Sequence, residues 1–138
     1  MKRKNELLNI GLLILRVGIG ITMFLHGLPK IMGGSEVWGM VGSTMSNFGI
    51  DSGHEFWGLL AALAESVGGI FFALGLLFRP TAFVLTGTMV VALITHLAMG
   101  DDFMAYGHAL DLLIIFAASI FLGAGKYSLD AKLFPRLL

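Results

Sequence analysis

Four long apolar stretches, separated by polar or glycine-rich breaks, organise this chain: residues 7–28, 56–78, 81–99 and 103–122. A helix needs roughly 20 predominantly apolar residues to cross a bilayer core, and each stretch is close to that length. Open sheets and lipid-exposed loops would leave backbone groups unsatisfied in hydrocarbon, whereas a helix bonds internally. The pattern therefore predicts an all-α fold, a four-transmembrane-helix bundle, with residues 1–138 forming a single integral membrane domain.

The breaks are unequal. The first, Pro29 to Glu55, is the only long one; Gly33, Gly34, Gly39, Gly42, Gly49 and Gly53 interrupt it, while Trp38, Met40, Val41, Met45 and Phe48 give it a patchy apolar face. Connections of this length are usually functional lids, re-entrant elements or disordered linkers, and a short amphipathic segment lying at the outer interface of the membrane and capping the bundle is expected here. The first stretch follows the basic start Met1-Lys2-Arg3-Lys4. It exceeds a signal-peptide core of roughly 7–15 residues, and Leu25 to Lys30 is a poor small-residue cleavage site, so a permanent helix is expected.

Composition and charge sharpen this reading. With 57% hydrophobic and 13% charged residues and a mean hydropathy of +0.87, the chain has too little polar surface for a soluble domain of its size. Lys2, Arg3, Lys4, Arg79, Lys126, Lys132 and Arg136 flank one end of the expected bundle; Glu36, Asp51, Glu55, Asp101 and Asp102 flank the other, with Lys30 the lone basic residue there. Basic residues are retained on the cytoplasmic side, which predicts an N-in/C-in, multi-pass protein of a bacterial-type cytoplasmic membrane, its long connection facing outward. The basic N-terminus is thereby explained by topology, and no nucleic-acid partner is expected.

Set into the apolar helices are Arg16, Glu65, His96, His108 and Asp111. A charge at bilayer depth costs several kcal/mol, so such residues face a bundle interior, pair, or line a functional site. At about 1.5 Å per residue, Arg16 lies about 12–14 Å from one end of its stretch and Glu65 about 13 Å from the opposite end of its own. In a core about 30 Å thick these depths nearly coincide, which predicts an Arg16–Glu65 ion pair. Arg16, Gly20, Met23, Gly27 and Lys30 form one stripe; Gly58, Ala61, Glu65, Gly68, Gly69 and Phe72 form another, and the small residues would let the two backbones approach.

His26, Lys30, His96, His108 and Asp111 fall in the outer half of the bundle. His108 and Asp111, three apart, share a helix face, where an imidazole–carboxylate hydrogen bond would fix the tautomer and raise basicity, as a proton relay or ligand requires. Protonatable groups near one membrane face suit a quinone, whose carbonyls exchange protons as electrons move. Each residue also has a plainer role. Arg16 and Glu65 can be a structural pair, His26 and Lys30 can snorkel to water, and Asp111 and His96 can serve helix dipoles. Phe71, Phe72 and Phe116 read as packing or lipid-facing residues, and the methionines as adaptable packing rather than copper ligands.

Some chemistries are disfavoured. The chain has no cysteine, hence no thiol nucleophile, dithiol exchange or iron–sulfur ligation of its own. No phosphate-binding glycine motif occurs in a strand-to-helix context, and the repeated carboxylate and Glu-x-x-His ligands of a di-iron bundle are missing. No metal site is expected; bis-histidine haem ligation among His26, His96 and His108 is a weaker alternative to quinone.

The residues carry a family resemblance from about Leu12 to Ala131. The matching elements are Leu15-Arg16, Gly20, Phe24, His26-Gly27 and Lys30, then Glu65, Gly68-Gly69, Leu74-Gly75-Leu76-Leu77 and Arg79, then His96 and the terminal Gly123-Ala124-Gly125-Lys126-Tyr127-Ser128-Leu129-Asp130. In this the chain resembles the DoxX family of small four-helix membrane proteins. It departs at Lys126, where the family commonly has Arg, and at Phe78, where Thr is usual. The resemblance implies a link to membrane quinone chemistry, since its namesakes are associated with a thiosulfate:quinone oxidoreductase and other members with quinones, catechols or thiol stress, often beside soluble redox partners. It singles out Arg16, His26, Lys30, Glu65, Arg79 and His96.

Two readings follow. In the enzymatic one, Arg16 and Glu65 orient an outer-half pocket, His26 and His96 bind or protonate a carbonyl oxygen, Lys30 stabilises developing negative charge, and His108 and Asp111 help to hold the ligand. Electrons would come from a soluble or membrane partner subunit or a bound cofactor. In the other reading the protein is a non-enzymatic accessory, assembly or carrier subunit whose buried charges are structural. Membrane lipid is the expected surrounding in either, and a glycine-rich face is compatible with a homodimer.

Overall fold

The computed structural model describes residues 2–134; Arg136, counted in the charge asymmetry, lies outside them. Among the described residues there are helices and no strands: α1 (Lys2–Met32), α2 (Gly34–Gly42), a 3-10 turn (Ser43–Phe48), α3 (His54–Leu74), α4 (Phe78–Met99), α5 (Phe103–Leu122) and the short α6 (Leu129–Leu133). Four of them, α1, α3, α4 and α5, are long and apolar enough to cross a membrane, as the hydropathy pattern predicts. The end of the bundle that carries the α3–α4 turn and α6 is called the terminal end below, and the end that carries α2 the far end.

The helix boundaries depart from the apolar stretches for local reasons. Helix α1 begins well before residue 7 and continues past residue 28, with Pro29 inside its last turns. Its 31 residues give a length of about 46 Å, against a hydrocarbon core of about 30 Å. The second span stops at Leu74 rather than residue 78 because Gly75 (φ 65°) and Leu77 (φ 45°) are both left-handed. Phe78 thus opens α4, and Pro80 sits in the first turn of that helix, where its missing N–H costs nothing.

A left-handed leucine is uncommon, and the C-terminal segment supports it. The Asp130 carboxylate accepts hydrogen bonds from the backbone N–H groups of Leu77 (2.7 Å) and Phe78 (2.8 Å), and the Asp130 N–H donates to Gly75 O at 2.9 Å. Asp130 therefore acts as the N-cap of α4 from more than 50 residues away. An Asp130→Ala variant should lose about 1–2 kcal/mol, read as a lower thermal unfolding midpoint in detergent, and Asp130→Asn should recover part of it.

Helix α1 packs chiefly on α3, α4 on α5, and α2 on the far half of α3; α3 and α4 touch less closely, and α1 and α5 barely meet. The α1–α3 contact is a backbone-to-backbone approach. A Cβ on Gly27 would lie 2.4 Å from Ser66 N, and one on Gly69 would lie 2.5 Å from Phe24 N and 2.7 Å from Gly20 O. The core between the helix pairs gathers Met23, Phe72, Phe78, Leu85, Leu112 and Phe116. Phe72 stacks at 4.6 Å on Phe78 and meets Phe116 edge-on at 5.1 Å, so both Phe72 and Phe116 are packing residues. Outward faces carry large exposed apolar side chains such as Ile14, Phe83 and Phe121, as a lipid-facing surface should.

Candidate functional site

Arg16 and Glu65 do not pair. The glycine contacts fix the register of α1 against α3, setting Gly27 level with Ser66, and Gly20 beside Gly69 and Ala73. Arg16 lies 11 residues before Gly27, about 16 Å along the helix axis, and so sits at the terminal end of α3. There its guanidinium donates to Ala73 O at 2.9 Å and to Tyr127 O. Counting depth from residue 7 misplaces Arg16 because α1 overruns α3 by several turns, so its first apolar residue does not mark the bundle edge.

The partner of Glu65 is Lys30. Its ammonium lies 2.7 Å from each oxygen of the Glu65 carboxylate. Lys30 is one turn beyond Gly27 on the same α1 stripe, and the absence of a side chain at Gly27 brings it within reach. Glu65 is almost wholly buried, with its side chain 5% exposed against 33% for Lys30. The backbone carbonyl of Lys30 accepts from Trp38 Nε1 at 2.9 Å, tying α2 to the same point. Lys30 therefore turns inward rather than snorkelling to the far-end interface.

The pair opens onto a cleft of about 860 Å³ between α3 and α4. Its walls are mostly apolar: Ala61, Ala64 and Gly68 on α3 face Val84, Gly87 and Val91 on α4. The 3-10 turn closes the far end with Thr44 and Met45, and Trp57 stands beside them. Three ionisable residues line it, Lys30 and Glu65 within and His96 on the α4 side toward the far end. Ala61 and Gly68, expected against α1, face the cleft instead; Ala62 and Ser66 take the buried α1 side.

His96 also differs from expectation in its partner. Its Nδ1 lies 2.7 Å from Asp101 Oδ2, so the imidazole–carboxylate pair forms at 96/101 and not at 108/111. The signal was Gly100, left-handed at φ 75°, which reverses the chain after α4 and returns the Asp101 N–H to His96 O. His108 instead sets its Nε2 3.2 Å from Nε2 of His26, bridging α5 and α1. Asp111 is exposed on α5 and makes no hydrogen bond among the described residues.

The seven candidate residues thus fall into separate places. Lys30, Glu65 and His96 line the cleft; His26 and His108 meet at the α1–α5 edge; Arg16 anchors the C-terminal segment; Asp111 stands apart. Arg79, singled out by the resemblance, is exposed beside Gly123. Sequence reasoning did not assign the terminal-end network its role. In addition to Asp130, Ser128 caps α6 through Ala131 N at 3.1 Å, and Lys126 N donates to Asn9 Oδ1 at 2.8 Å. The Tyr127 hydroxyl donates to the Glu6 carboxylate, which raises its pKa above the ordinary tyrosine value, first through that bond, then through partial burial and the carboxylate charge.

Fold and site together define a small polytopic helical membrane protein with an ion pair at the wall of an interhelical cleft. The chain belongs to the DoxX family of integral membrane proteins, which it matches over residues 11–98. It is 33% identical over 91 residues to a Bacillus subtilis (strain 168) protein named "Putative oxidoreductase CatD", covering 66% of this chain and 63% of that relative. It is also 33% identical over 138 aligned residues to an uncharacterized protein of Haemophilus influenzae (strain ATCC 51907 / DSM 11121 / KW20 / Rd), covering 91% of this chain and 92% of the other. No solved structure matches it.

Proposed function

We propose that the α3–α4 cleft binds a small redox-active molecule of quinone or catechol type, and that the protein serves as a membrane subunit of an oxidoreductase. The observation that carries this reading is the cleft: about 860 Å³, apolar along its walls, with the Lys30–Glu65 pair and His96 its ionisable groups. Ligand sites commonly combine such an apolar volume with a few placed polar groups. The name of the Bacillus subtilis relative, a putative oxidoreductase, points the same way.

A bound quinone would supply two-electron, two-proton chemistry. The Lys30 ammonium can donate a hydrogen bond to a carbonyl oxygen and stabilise charge that develops on it. Glu65 holds that ammonium in place. His96, oriented through Nδ1 by Asp101, presents its other ring nitrogen for proton exchange. With no cysteine in the chain, electrons would reach the cleft from a partner subunit or a bound cofactor. In this reading both termini face the cytoplasm, as the lysine and arginine distribution suggests.

The test uses Trp57, which lines the cleft, as reporter. Titrating a short-chain benzoquinone into the full-length protein in nanodiscs should give saturable quenching that disappears in Trp57→Phe. Gly87 also lines the cleft, and a Cβ there meets nothing within 4 Å. Gly87→Leu, whose Cβ meets no neighbour, should narrow the cleft, leave the thermal midpoint near native, and weaken binding at least tenfold. Equal quenching in native and Gly87→Leu proteins would refute the proposed site.

One observation favours the structural alternative. Both Glu65 oxygens are already engaged by Lys30, as in a pair that only holds α1 to α3. An accessory subunit of this kind would show no saturable quenching, and its Lys30 and Glu65 variants would lose stability alone.

A further inference from the structure

We propose that His26 and His108 form a binding site for a divalent transition-metal ion at the α1–α5 edge, apart from the cleft. The two helices share almost no other contact, and the imidazoles bridge them. Their ring centroids are 5.0 Å apart, whereas their Nε2 atoms are 3.2 Å apart, so the rings converge through their Nε2 edges. Two nitrogens bound to one tetrahedral zinc at about 2.0–2.1 Å stand about 3.3 Å from each other. The observed separation is that of two ligands on adjacent positions of one ion.

Without an ion, the same separation is that of a single Nε2–H···Nε2 hydrogen bond. A neutral pair must place a proton on one Nε2 and none on the other. If both facing nitrogens carried protons, two N–H groups would oppose each other. A metal ion accepts both lone pairs at once, and neutral imidazole suits zinc, copper and nickel. Both histidines are exposed, and His108 lies about 7 Å along α5 from its far-end start, close enough to the interface for ions to enter. Asp111, one turn further along α5, adds a negative charge on the same face.

No third histidine, cysteine, aspartate or glutamate converges on the pair among the described residues. The ion would thus keep two protein ligands, its remaining positions open to water. The same geometry argues against haem between these two residues, because axial nitrogens stand on opposite sides of the macrocycle and 3.2 Å leaves no room for one.

The experiment uses full-length protein purified without a polyhistidine tag, stripped with EDTA and equilibrated with Zn²⁺ in nanodiscs. Native protein should retain one zinc ion per chain and show a zinc-dependent rise in thermal midpoint, as a ligand that binds only the folded state produces. His26→Ala and His108→Ala should each weaken zinc binding at least tenfold and abolish the rise, while His96→Ala keeps both. His26→Gln and His108→Gln should behave as the alanine variants do, which guards against a packing defect. Electron paramagnetic resonance of Cu²⁺-loaded native protein should report two nitrogen ligands. Native protein that takes up no zinc, or binding that survives in both alanine variants, would overturn the assignment. Quenching by quinone in the cleft is read separately, so the two proposals can fail independently.

Discussion

Glu65→Ala should lower the unfolding free energy by about 3 kcal/mol, measured by reversible unfolding in mixed micelles. Breaking one side of a buried ion pair costs about 3–5 kcal/mol, because the remaining charge is left without compensation. Here the side chain left behind, Lys30, is 33% exposed, which brings the expectation to the low end. Removing both charges with similar volume, as Lys30→Met with Glu65→Leu, should return most of the lost stability, since an apolar replacement of a buried pair is often neutral or better. A double-mutant cycle over the four proteins isolates the coupling. A Glu65→Ala loss below about 0.5 kcal/mol, the size of an ordinary surface substitution, would show that the pair does not hold the helices.

The double variant also separates the two functional readings. It restores packing but removes the charged groups at the cleft wall. If the cleft binds a quinone-type molecule through Lys30, the stable double variant should bind the short-chain benzoquinone at least tenfold more weakly. If the pair is only structural, the native protein gives no saturable quenching and the double variant differs from it in nothing but stability.

Much of the fold was legible because hydrocarbon leaves so few options. Continuous apolar stretches near 20 residues must be helices, and the expected stripes of the first two spans meet at Gly20, Gly27 and Gly69, whereas Ala61 and Gly68 turn to the cleft. The boundaries were less legible because apolar length does not mark where a helix enters the bundle. Leu7, Leu8 and Ile10 are apolar and helical, yet they lie beyond the last turn of α3. The error carried directly into the site, since it gave Arg16 a depth that matched Glu65. Lys30 was on the right stripe, but a lysine two residues past the apolar stretch looked free to reach water. What decided its partner was Gly27, whose contact at Ser66 brings the two helices close enough for a four-carbon stem to span.

Other features rest on contacts between residues far apart in sequence. Spacing suggested that His108 would meet Asp111 one turn away; instead it meets His26, 82 residues earlier, at an edge where α1 and α5 otherwise barely touch. Asp130 belongs to a motif visible in the sequence, but its service to Leu77 and Phe78 depends on the C-terminal segment returning to the α3–α4 turn. Local periodicity carries information about faces of one helix, and none about which distant carboxylate will reach its first N–H groups.

The close approach of α1 and α3 is the source of the second large expected effect. Gly69→Ala places a methyl group 2.5 Å from Phe24 N and 2.7 Å from Gly20 O, and Gly27→Ala places one 2.4 Å from Ser66 N. The atoms met are backbone, so neither rotamer changes nor a flexible side chain can relieve the overlap; the helices must separate. Overpacking of this kind costs about 1–3 kcal/mol or more, against a helix-propensity gain of about 1 kcal/mol for alanine over glycine. Gly18→Ala supplies the control, because it offers the same propensity gain on α1 while its Cβ meets nothing within 4 Å. Gly18→Ala should therefore be neutral or stabilising, and Gly69→Ala should fall below it by about 2 kcal/mol or more, read as the difference in unfolding midpoints. Because Lys30 lies one turn past Gly27, separation there should also draw the ammonium from Glu65, so Gly27→Ala is expected to weaken benzoquinone binding as well as stability. Equal stability of the Gly18 and Gly69 variants would mean that the helices can move apart at no cost, and the register that places Lys30 on Glu65 would then need another cause.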